Sequence, residues 1–535
     1  MAHSSSIDPE AYRLMREGRT GDALPLAERA VAGSVACLPG HSFLASILLK
    51  LGRVADAEQV VARAAELATG TAEAYDGLAY VSIELGQHER ANALYRRATE
   101  LEPRRPRAWY NLACSERSFG RLAAAEDACN RAITLDAGQY PSFLLRSELR
   151  VQAPAANHIE DLERRLADSR LDIHGRIFLG YALAKELDDV QRFDDAFQRF
   201  AAAARLRRSQ IRYDIAGDER RLQRIAEVFS LKASREWERH STSQQHGDPA
   251  QHSAPARRND PAQHGEPAQH TALAQRDDPA QRGIPRYIFI VGLPRSGTTL
   301  VERILTGLAG VRSNGETENF SRALTAAASM TGPSAAAANR GDMFDRAAAA
   351  NPAAVAAQYA QLARPAAAGE TIVEKLPTNY LYVGAIRRAL PAAKLVLVRR
   401  SPLDSCFAMY RALFGDAYPF SYDFDELARY YAAYEKLMNH WLSLFGESIH
   451  EVVYEELVRE PQRVGAALAA YCGLTWNPQA TDIESNRSVS LTASAVQVRR
   501  PIYGSSSGRW RHYRRHLTPL IAALRRHGVS VPDDA

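Results

Sequence analysis

The residues of this chain best suited to chemistry form one short segment, Gly292-Leu-Pro-Arg-Ser-Gly-Thr-Thr-Leu300. An apolar run at 287–291 precedes it and residues 301–306 follow it, so the order predicts a strand, a tight loop and a helix. The spacing G-x-x-x-x-G-x-T is that of a phosphate-binding loop. Thr298 stands where a nucleoside triphosphatase carries lysine. The segment therefore predicts a site for a phosphate-like group and not for a magnesium triphosphate.

Each residue type in this loop has a use in binding an oxyanion. Glycines at both ends allow backbone conformations that turn N–H groups inward, and the next helix adds its unpaired N-terminal donors. Arginine supplies a planar positive charge, and hydroxyls supply further donors. The alternative is an ordinary glycine turn between a strand and a helix. The residues expected to contact the anion are Arg295, Ser296, Gly297, Thr298 and Thr299.

The run Pro294–Leu300 resembles the 5′-phosphosulfate loop of sulfotransferases. These enzymes use 3′-phosphoadenosine 5′-phosphosulfate (PAPS) as the sulfuryl donor. More narrowly, the chain resembles bacterial proteins that join tetratricopeptide repeats to a sulfotransferase domain, whose catalytic half is similar to tyrosylprotein sulfotransferase. The resemblance covers residues 285–520 and the repeats, and it implies PAPS as co-substrate without a metal.

A sheet must position this loop. Short apolar runs alternate with helical stretches after residue 285, and the candidate strands are 287–291, 371–374, 394–398 and 451–454. Such alternation predicts an α/β, P-loop-like domain with a central parallel sheet, over 285–535. Ligands bind at the carboxyl ends of strands in such sheets, so the polar residues there are the candidates for the site.

The resemblance assigns two catalytic residues besides Arg295. Glu316 matches the general base, although the family's Gly-Glu-Glu-Thr-Arg reads Asn-Gly-Glu-Thr-Glu here and ends at Glu318. Lys375 falls where the family places a catalytic cation that stabilises charge on the bridging oxygen. The alternatives are a solvated loop glutamate and a surface lysine at a strand end.

The resemblance also assigns contacts to the nucleotide. Arg400 aligns with the 3′-phosphate ligand, while the serine expected eight residues later is Ala408, and Ser405 is a candidate to compensate for it. Three later positions match nucleotide contacts in the family: Tyr454, Ser494 and Arg509. The run from Arg499 to Arg515 holds six arginines, which suit a polyanionic cofactor; the rival interpretation is a nucleic-acid patch.

The first 140 residues contain a 34-residue repeat. Glycines recur at Gly18, Gly52, Gly86 and Gly120, and alanines stand five and twelve positions after each. This pattern is typical of tetratricopeptide repeats, in which each unit is a pair of antiparallel helices. The segment 141–235 predicts a degenerate repeat and helical cap that leads into the second half.

A different composition marks residues 236–284, which repeat a short phrase of acidic residue, proline, alanine and glutamine. It predicts a disordered low-complexity linker. Four histidines lie in this stretch and could bind a metal weakly, but their irregular spacing favours solvated side chains: His246, His252, His264 and His270.

Composition adds limits. The chain has 535 residues, which predicts two or three domains, and its net charge of +5 does not argue for nucleic acid. Its five cysteines are scattered and odd in number, as in a cytoplasmic protein with reduced thiols. The sequence shows neither a secretory signal nor a membrane span, so we expect a cytoplasmic location.

The leading hypothesis is a PAPS-dependent sulfotransferase that acts on protein or peptide tyrosine, with the repeats binding the acceptor or a partner. Two alternatives stay open: transfer to a carbohydrate, lipid or small phenol, and a repeat scaffold without turnover. The sequence leaves the oligomeric state open.

Overall fold

The computed structural model describes residues 7–33, 38–66, 71–230, 286–329, 343–364 and 369–532, apart from residues 487, 493 and 505. The linker predicted at 236–284 lies outside the described residues, as do its four histidines.

The N-terminal part consists of paired antiparallel helices, as the repeat predicts. In chain order the helices are α1 Pro9–Arg16, α2 Thr20–Gly33, α3 Leu38–Lys50, α4 Val54–Glu66, α5 Ala72–Glu84, α6 His88–Leu101, α7 Pro106–Ser118 and α8 Leu122–Leu135. The repeated glycines make the turn inside each pair, because Gly18, Gly52, Gly86 and Gly120 all have φ between 66° and 77°. A left-handed backbone of this kind is easily adopted only by glycine. The 34-residue period is therefore the period of these turns.

The next helices connect the repeats to the second half. They are α9 Tyr140–Glu148, α10 Ile159–Leu166, α11 Ile173–Asp189, α12 Phe193–Ser209 and α13 Ile215–Val228. Their apolar residues belong to the same core cluster as those of the C-terminal half. The Phe229 ring packs edge-on against Trp441, and the Tyr181 hydroxyl donates to the Tyr410 carbonyl at 3.3 Å. This segment, which we call the bridge, thus packs into the C-terminal half as well as ending the repeats.

A five-stranded parallel sheet forms the centre of the C-terminal half, in the order β2-β3-β1-β4-β5. The strands are β1 Arg286–Gly292, β2 Val311–Ser313, β3 Thr371–Glu374, β4 Lys394–Arg399 and β5 Ile449–Val453. The parallel sheet and four of its strands were predicted, whereas β2 was not. The last strand ends one residue earlier than predicted, since Tyr454 begins a helix.

Helices cover both faces of this sheet. They are α14 Thr298–Thr306, α15 Asn319–Ser329, α16 Met343–Ala349, α17 Pro352–Leu362, α18 Val383–Ala389, α19 Pro402–Tyr410, α20 Phe424–Phe445, α21 Tyr454–Arg459, α22 Pro461–Cys472 and α23 Arg514–Arg526. Ile288 and Ile290 of β1 pack in one core cluster, and Phe289 and Val291 pack in another. Because successive side chains of a strand point to opposite faces, both faces of β1 are covered, and its run of apolar residues is explained. None of the described helices is long and apolar enough to cross a membrane.

Two turns of the repeats lie against the C-terminal half. A Cβ built on Gly52 would lie 3.8 Å from Leu362, and one on Gly86 would lie 3.4 Å from Arg364. Two ion pairs join the same surfaces, Arg364 with Glu58 at 3.5 Å and Arg322 with Glu84 at 3.3 Å. The repeats therefore contact the C-terminal half through the turns that carry Gly52 and Gly86 and through the two ion pairs.

Candidate active site

The loop between β1 and α14 has the backbone that its glycines predict. Gly297 has φ of +106° and caps α14 without a side-chain hydrogen bond, and a Cβ at this position would collide with the Tyr454 ring. Arg295 also lies in the left-handed region, with φ of +67°. Such a backbone in a residue with a side chain is uncommon and is concentrated at functional sites.

Several polar groups of this loop are left for a ligand. Ser296 is 2% exposed, and its hydroxyl has no partner among the residues that the structure describes. The first N–H groups of α14 have no acceptor within their own helix, and Thr298 and Thr299 at this end are buried. Buried donors of this kind cost free energy unless they are paired, so the loop is suited to an oxyanion.

Arg295 turns from the loop towards the C-terminal segment. Its guanidinium donates to the Ser494 hydroxyl at 2.6 Å and to the Gln497 side-chain oxygen at 2.8 Å. Burial lowers the pKa of Arg295, and the nearby Glu148 carboxylate opposes that change. The structure thus brings together two predicted donor contacts, Arg295 and Ser494, and adds Gln497, which sequence reasoning missed.

Arg400 and Tyr454 form a second cluster beside the loop. The Arg400 guanidinium lies 4.7 Å from the centre of the Tyr454 ring and donates to the Arg295 carbonyl at 2.9 Å. It also donates to the Ser506 carbonyl at 2.5 Å, and the Ser506 hydroxyl pairs with that of Tyr454 at 2.5 Å. These contacts hold Arg400 against the loop.

A cavity connects this cluster to the loop. Its lining includes Ser296, Arg400 and the buried Ser405, whose hydroxyl donates to the Arg400 carbonyl at 3.4 Å. The α20 residues Tyr431 and Tyr434 form another wall. The α20 wall was not predicted, because nothing in the spacing of its tyrosines distinguishes it from a core helix.

Lys375 and Glu316 form an ion pair at the carboxyl end of β3. The Lys375 side chain is fully buried, and its ammonium lies 3.6 Å from a second carboxylate, that of Glu302 on α14. Glu302 in turn accepts a hydrogen bond from Ser313. The predicted general base, Glu316, and the predicted catalytic cation, Lys375, are thus adjacent, and Glu302 is an additional partner that sequence reasoning missed.

Glu374 holds the loop that carries Glu316. It is fully buried, and it accepts hydrogen bonds from Thr317 at 2.5 Å, Asn314 at 3.3 Å and Tyr359 at 3.0 Å. Burial raises the pKa of Glu374 to about 7. A glutamate at the end of a buried strand was the available signal for this role, because an ionisable side chain is rarely buried without partners.

We expect the free energy of unfolding to depend on pH because Glu374 titrates. Its carboxyl ionises near pH 4.5 when unfolded and near pH 7 when folded, so the folded state binds the proton more tightly. The free energy of unfolding should fall as pH rises from about 4.5 to about 7, by about 3 kcal/mol in total. Denaturant unfolding between pH 4.5 and 8 would measure this pH dependence. The free energy of unfolding should fall with pH in the wild type and should lose this slope in Glu374→Gln. An equal slope in both proteins would assign the pH dependence elsewhere.

Arg509 has a different partner from the one expected of a nucleotide ligand. It donates to the buried carboxylate of Asp188 on α11 at 2.6 Å, and Arg411 and Tyr513 bind the same carboxylate. The structure therefore ties Arg509 to the bridge between the two halves and not to the loop. Its contact with the nucleotide stays a prediction.

Metal ligands are not grouped in this site. Within the residues that the structure describes, no three histidine, cysteine or acidic side chains come together as a metal would require.

Comparison with known proteins agrees with this architecture. Residues 285–478 match the model of the sulfotransferase family, and residues 9–72 and 77–140 match tetratricopeptide repeats. An uncharacterized protein of Aquifex aeolicus (strain VF5) is 27% identical over 417 residues, or 76% of this chain; the chain spans about half of that protein, 48%.

Two solved structures are similar in part. The sulfotransferase domain of the Synechococcus PCC 7002 olefin synthase is 20% identical, with a TM-score of 0.32 over 46% of this chain and 96% of that domain. The sulfotransferase domain of the curacin biosynthetic pathway is 18% identical, with a TM-score of 0.32 over 46% of this chain and 99% of that domain. On the family matches, the chain joins N-terminal tetratricopeptide repeats to a sulfotransferase domain.

Proposed function

We propose that this protein transfers a sulfuryl group from PAPS to a hydroxyl acceptor, and that the acceptor is a tyrosine of a protein or peptide bound by the repeats. The observation that carries the proposal is the Lys375–Glu316 ion pair, whose lysine also lies 3.6 Å from Glu302 on α14, the helix that follows the loop proposed to bind the anion. Lys375 follows β3, the strand next to β1, so the pair and the loop lie at the same edge of the sheet.

The residues of the loop fit the anionic part of the donor. Ser296 has a buried hydroxyl that meets no partner in the described part of the chain, and the start of α14, which has no side-chain cap there, offers N–H donors. Gly297 leaves room that a side chain would fill. Arg400, which stacks on Tyr454 and shares the cavity with Ser296, is the residue proposed to bind the 3′-phosphate.

Each polar residue then has a defined task. When bound, PAPS supplies the sulfuryl group; the acceptor oxygen forms the new S–O bond, and the bond to the phosphate oxygen breaks. Glu316 takes the proton of the acceptor hydroxyl, which matters because a phenol with a pKa of about 10 is a poor nucleophile at neutral pH. Lys375 stabilises the negative charge left on the phosphate, with Arg295 and the loop donors.

The position of the repeats supports a macromolecular acceptor. Glu148 on α9 interacts electrostatically with Arg295 of the loop, and it pairs with Arg117 on α7 at 3.9 Å. The helical repeats therefore reach the proposed donor site itself. Repeat surfaces of this type bind extended segments, which favours a peptide over a small phenol.

The test is transfer of labelled sulfur from PAPS, catalysed by the full-length protein, to tyrosine peptides, to matched peptides with phenylalanine, and to glycan, lipid and phenol panels. Label on the tyrosine peptides alone is the expected result. Label confined to the other panels would support the alternative acceptors, and donor binding with no transfer in any arm would support a scaffold without turnover.

Two variants separate binding from chemistry. Arg295→Ala should weaken the binding of adenosine 3′,5′-bisphosphate about tenfold or more, since it removes a charged donor from the loop. Glu316→Ala should keep that affinity and lose turnover, because its proposed task begins only with the acceptor. Calorimetric titration of both variants measures this difference, and equal losses of affinity would refute the two roles.

A further inference from the structure

The proposed donor site is bordered by a segment that follows the matched sulfotransferase domain. We call residues 488–492 and 494–499 the strap; the family match ends at residue 478, before the strap begins. The strap contains no strand or α-helix, and its internal backbone hydrogen bonds are local turns between residues 492 and 499, including the 3-10 turn Gln497–Arg499, so they do not anchor it to the rest of the protein. Side chains and neighbouring elements must hold it.

The phosphate-binding loop and its helix hold the strap from one side. Arg295 binds Ser494 and Gln497, as described above. Arg303 of α14 is 2% exposed and donates to the Ser488 hydroxyl at 2.5 Å. The strap and the loop are thus one hydrogen-bonded unit, in which displacement of one changes the position of the other.

A turn of the repeats holds the strap from the other side. The Ser118 carbonyl, at the end of α7, accepts from the Ser490 N–H at 3.1 Å and from the Arg499 guanidinium at 2.7 Å. Arg499 also donates to the Ser488 carbonyl at 3.2 Å. One carbonyl of the repeats therefore fixes two points of the strap that are nine residues apart in sequence.

Gly120, in the same turn, leaves the space that Arg499 occupies. A Cβ on Gly120 would lie 2.6 Å from Cδ of Arg499, closer than any side-chain contact allows. The equivalent glycine of the first turn, Gly18, has the same backbone, with φ of +77° against +76°, and nothing lies within 4 Å of its Cβ position. The close approach is therefore a property of this one turn and not of the repeat.

We propose that the turn Ser118–Gly120 and Arg499 are positioning elements for donor binding: they hold the strap so that Ser494 and Gln497 fix the Arg295 guanidinium at the loop. This inference rests on the proposed function. Its consequence is that the repeats are part of the donor site and do more than bind an acceptor, because a site whose charged group is already oriented loses less entropy when it binds.

The experiment compares Gly120→Ala with Gly18→Ala in the full-length protein. Both substitutions place alanine in the same left-handed backbone, so the backbone strain that they add should match, and only Gly120→Ala also pushes Arg499 away. We expect Gly120→Ala to weaken the binding of adenosine 3′,5′-bisphosphate about tenfold, and Gly18→Ala to keep it within about twofold. The loss should appear as a higher KM for the donor, and kcat of Gly120→Ala should fall as well, because Arg295 also stabilises charge during transfer; Gly18→Ala should keep both values.

A second pair of variants covers the case in which Gly120→Ala does not fold. Arg499→Ala should reproduce the loss of affinity, and Arg499→Lys, which keeps one donor for the Ser118 carbonyl, should restore part of it. Wild-type protein that does not bind the nucleotide would overturn the proposed function, and this inference with it. Wild-type binding with unchanged affinity in Gly120→Ala and Arg499→Ala would overturn the inference alone.

Discussion

Replacing Lys375 with methionine should lower kcat about a hundredfold to a thousandfold, the range found when a charge-stabilising group is removed from an active site. Binding of adenosine 3′,5′-bisphosphate should stay within about threefold, because Lys375 is proposed to act on charge that develops during transfer. Methionine is close to lysine in length and apolar, so it fills the buried position without a cavity. The measurement is steady-state turnover of labelled sulfur together with calorimetric titration of the nucleotide.

The surroundings of Lys375 explain why the expected effect is large. The side chain is fully buried between the carboxylates of Glu316 and Glu302, and charges interact more strongly away from water. Because Lys375 and Glu316 are in contact, their substitutions should not be additive: Lys375→Met combined with Glu316→Gln should cost little more than the worse single variant.

The matched control is Lys394→Met, which changes a lysine at the start of β4 that lies over the Tyr471 ring. It removes the same charge from the same sheet but lies at the amino end of its strand, away from the carboxyl ends where the site lies. Turnover should be unchanged in this control. A loss of kcat in Lys375→Met no larger than in Lys394→Met would exclude Lys375 from the chemistry.

The parts of the site that could be predicted are those determined by residues close together in the sequence. The strand, loop and helix around Gly297 lie within one continuous segment, Arg286–Thr306, and Lys375 and Arg400 directly follow two apolar strands with polar ends. The 34-residue spacing of the turn glycines likewise needs no tertiary information. By contrast, β2 has three half-buried residues, Val311–Ser313, and is too short and too polar to show a strand pattern.

Contacts distant in sequence account for what was missed. Arg509 was aligned with a nucleotide contact, but its carboxylate partner, Asp188, lies 321 residues earlier. Arg499 was counted among six arginines near the cofactor, and its partner Ser118 lies 381 residues earlier. Neither pairing can be predicted from residue spacing or composition, since each depends on how the repeats and the bridge pack on the C-terminal half.

Asp188 joins the bridge to the C-terminal half through buried polar contacts. Its carboxylate is 1% exposed, and it receives Arg411, Arg509 and the Tyr513 hydroxyl. Burial opposes its ionisation, but Arg411 and Arg509 hold the pKa of Asp188 below its ordinary value. The carboxylate therefore neutralises two arginines that belong to the catalytic half while it belongs to the bridge.

We expect Asp188→Asn to destabilise the protein by about 3–5 kcal/mol, since it leaves two buried or half-buried guanidinium groups without a counter-charge. Because the pKa of Asp188 is lower in the folded protein, its carboxylate stabilises the fold fully at a pH above 3.8, its pKa in the unfolded chain. This stabilisation is lost as the pH falls through the pKa of the folded state. The comparison therefore belongs at pH 7. Denaturant unfolding can be followed by the fluorescence of Trp441 and Trp510, which are buried in the core that the bridge shares.

Asp195→Asn is the matched control, on the neighbouring helix α12. Its carboxylate pairs with Arg192 at 2.8 Å, but both side chains are 48% exposed, and an exposed pair of this kind contributes about 0.5 kcal/mol. Equal losses of the free energy of unfolding in the two variants would mean that the Asp188 ion pairs contribute no more than an exposed pair. A loss confined to Asp188→Asn, with the repeats still folded, would mean that the bridge and the catalytic half unfold as one unit, because the Asp188 ion pairs and the shared core span both.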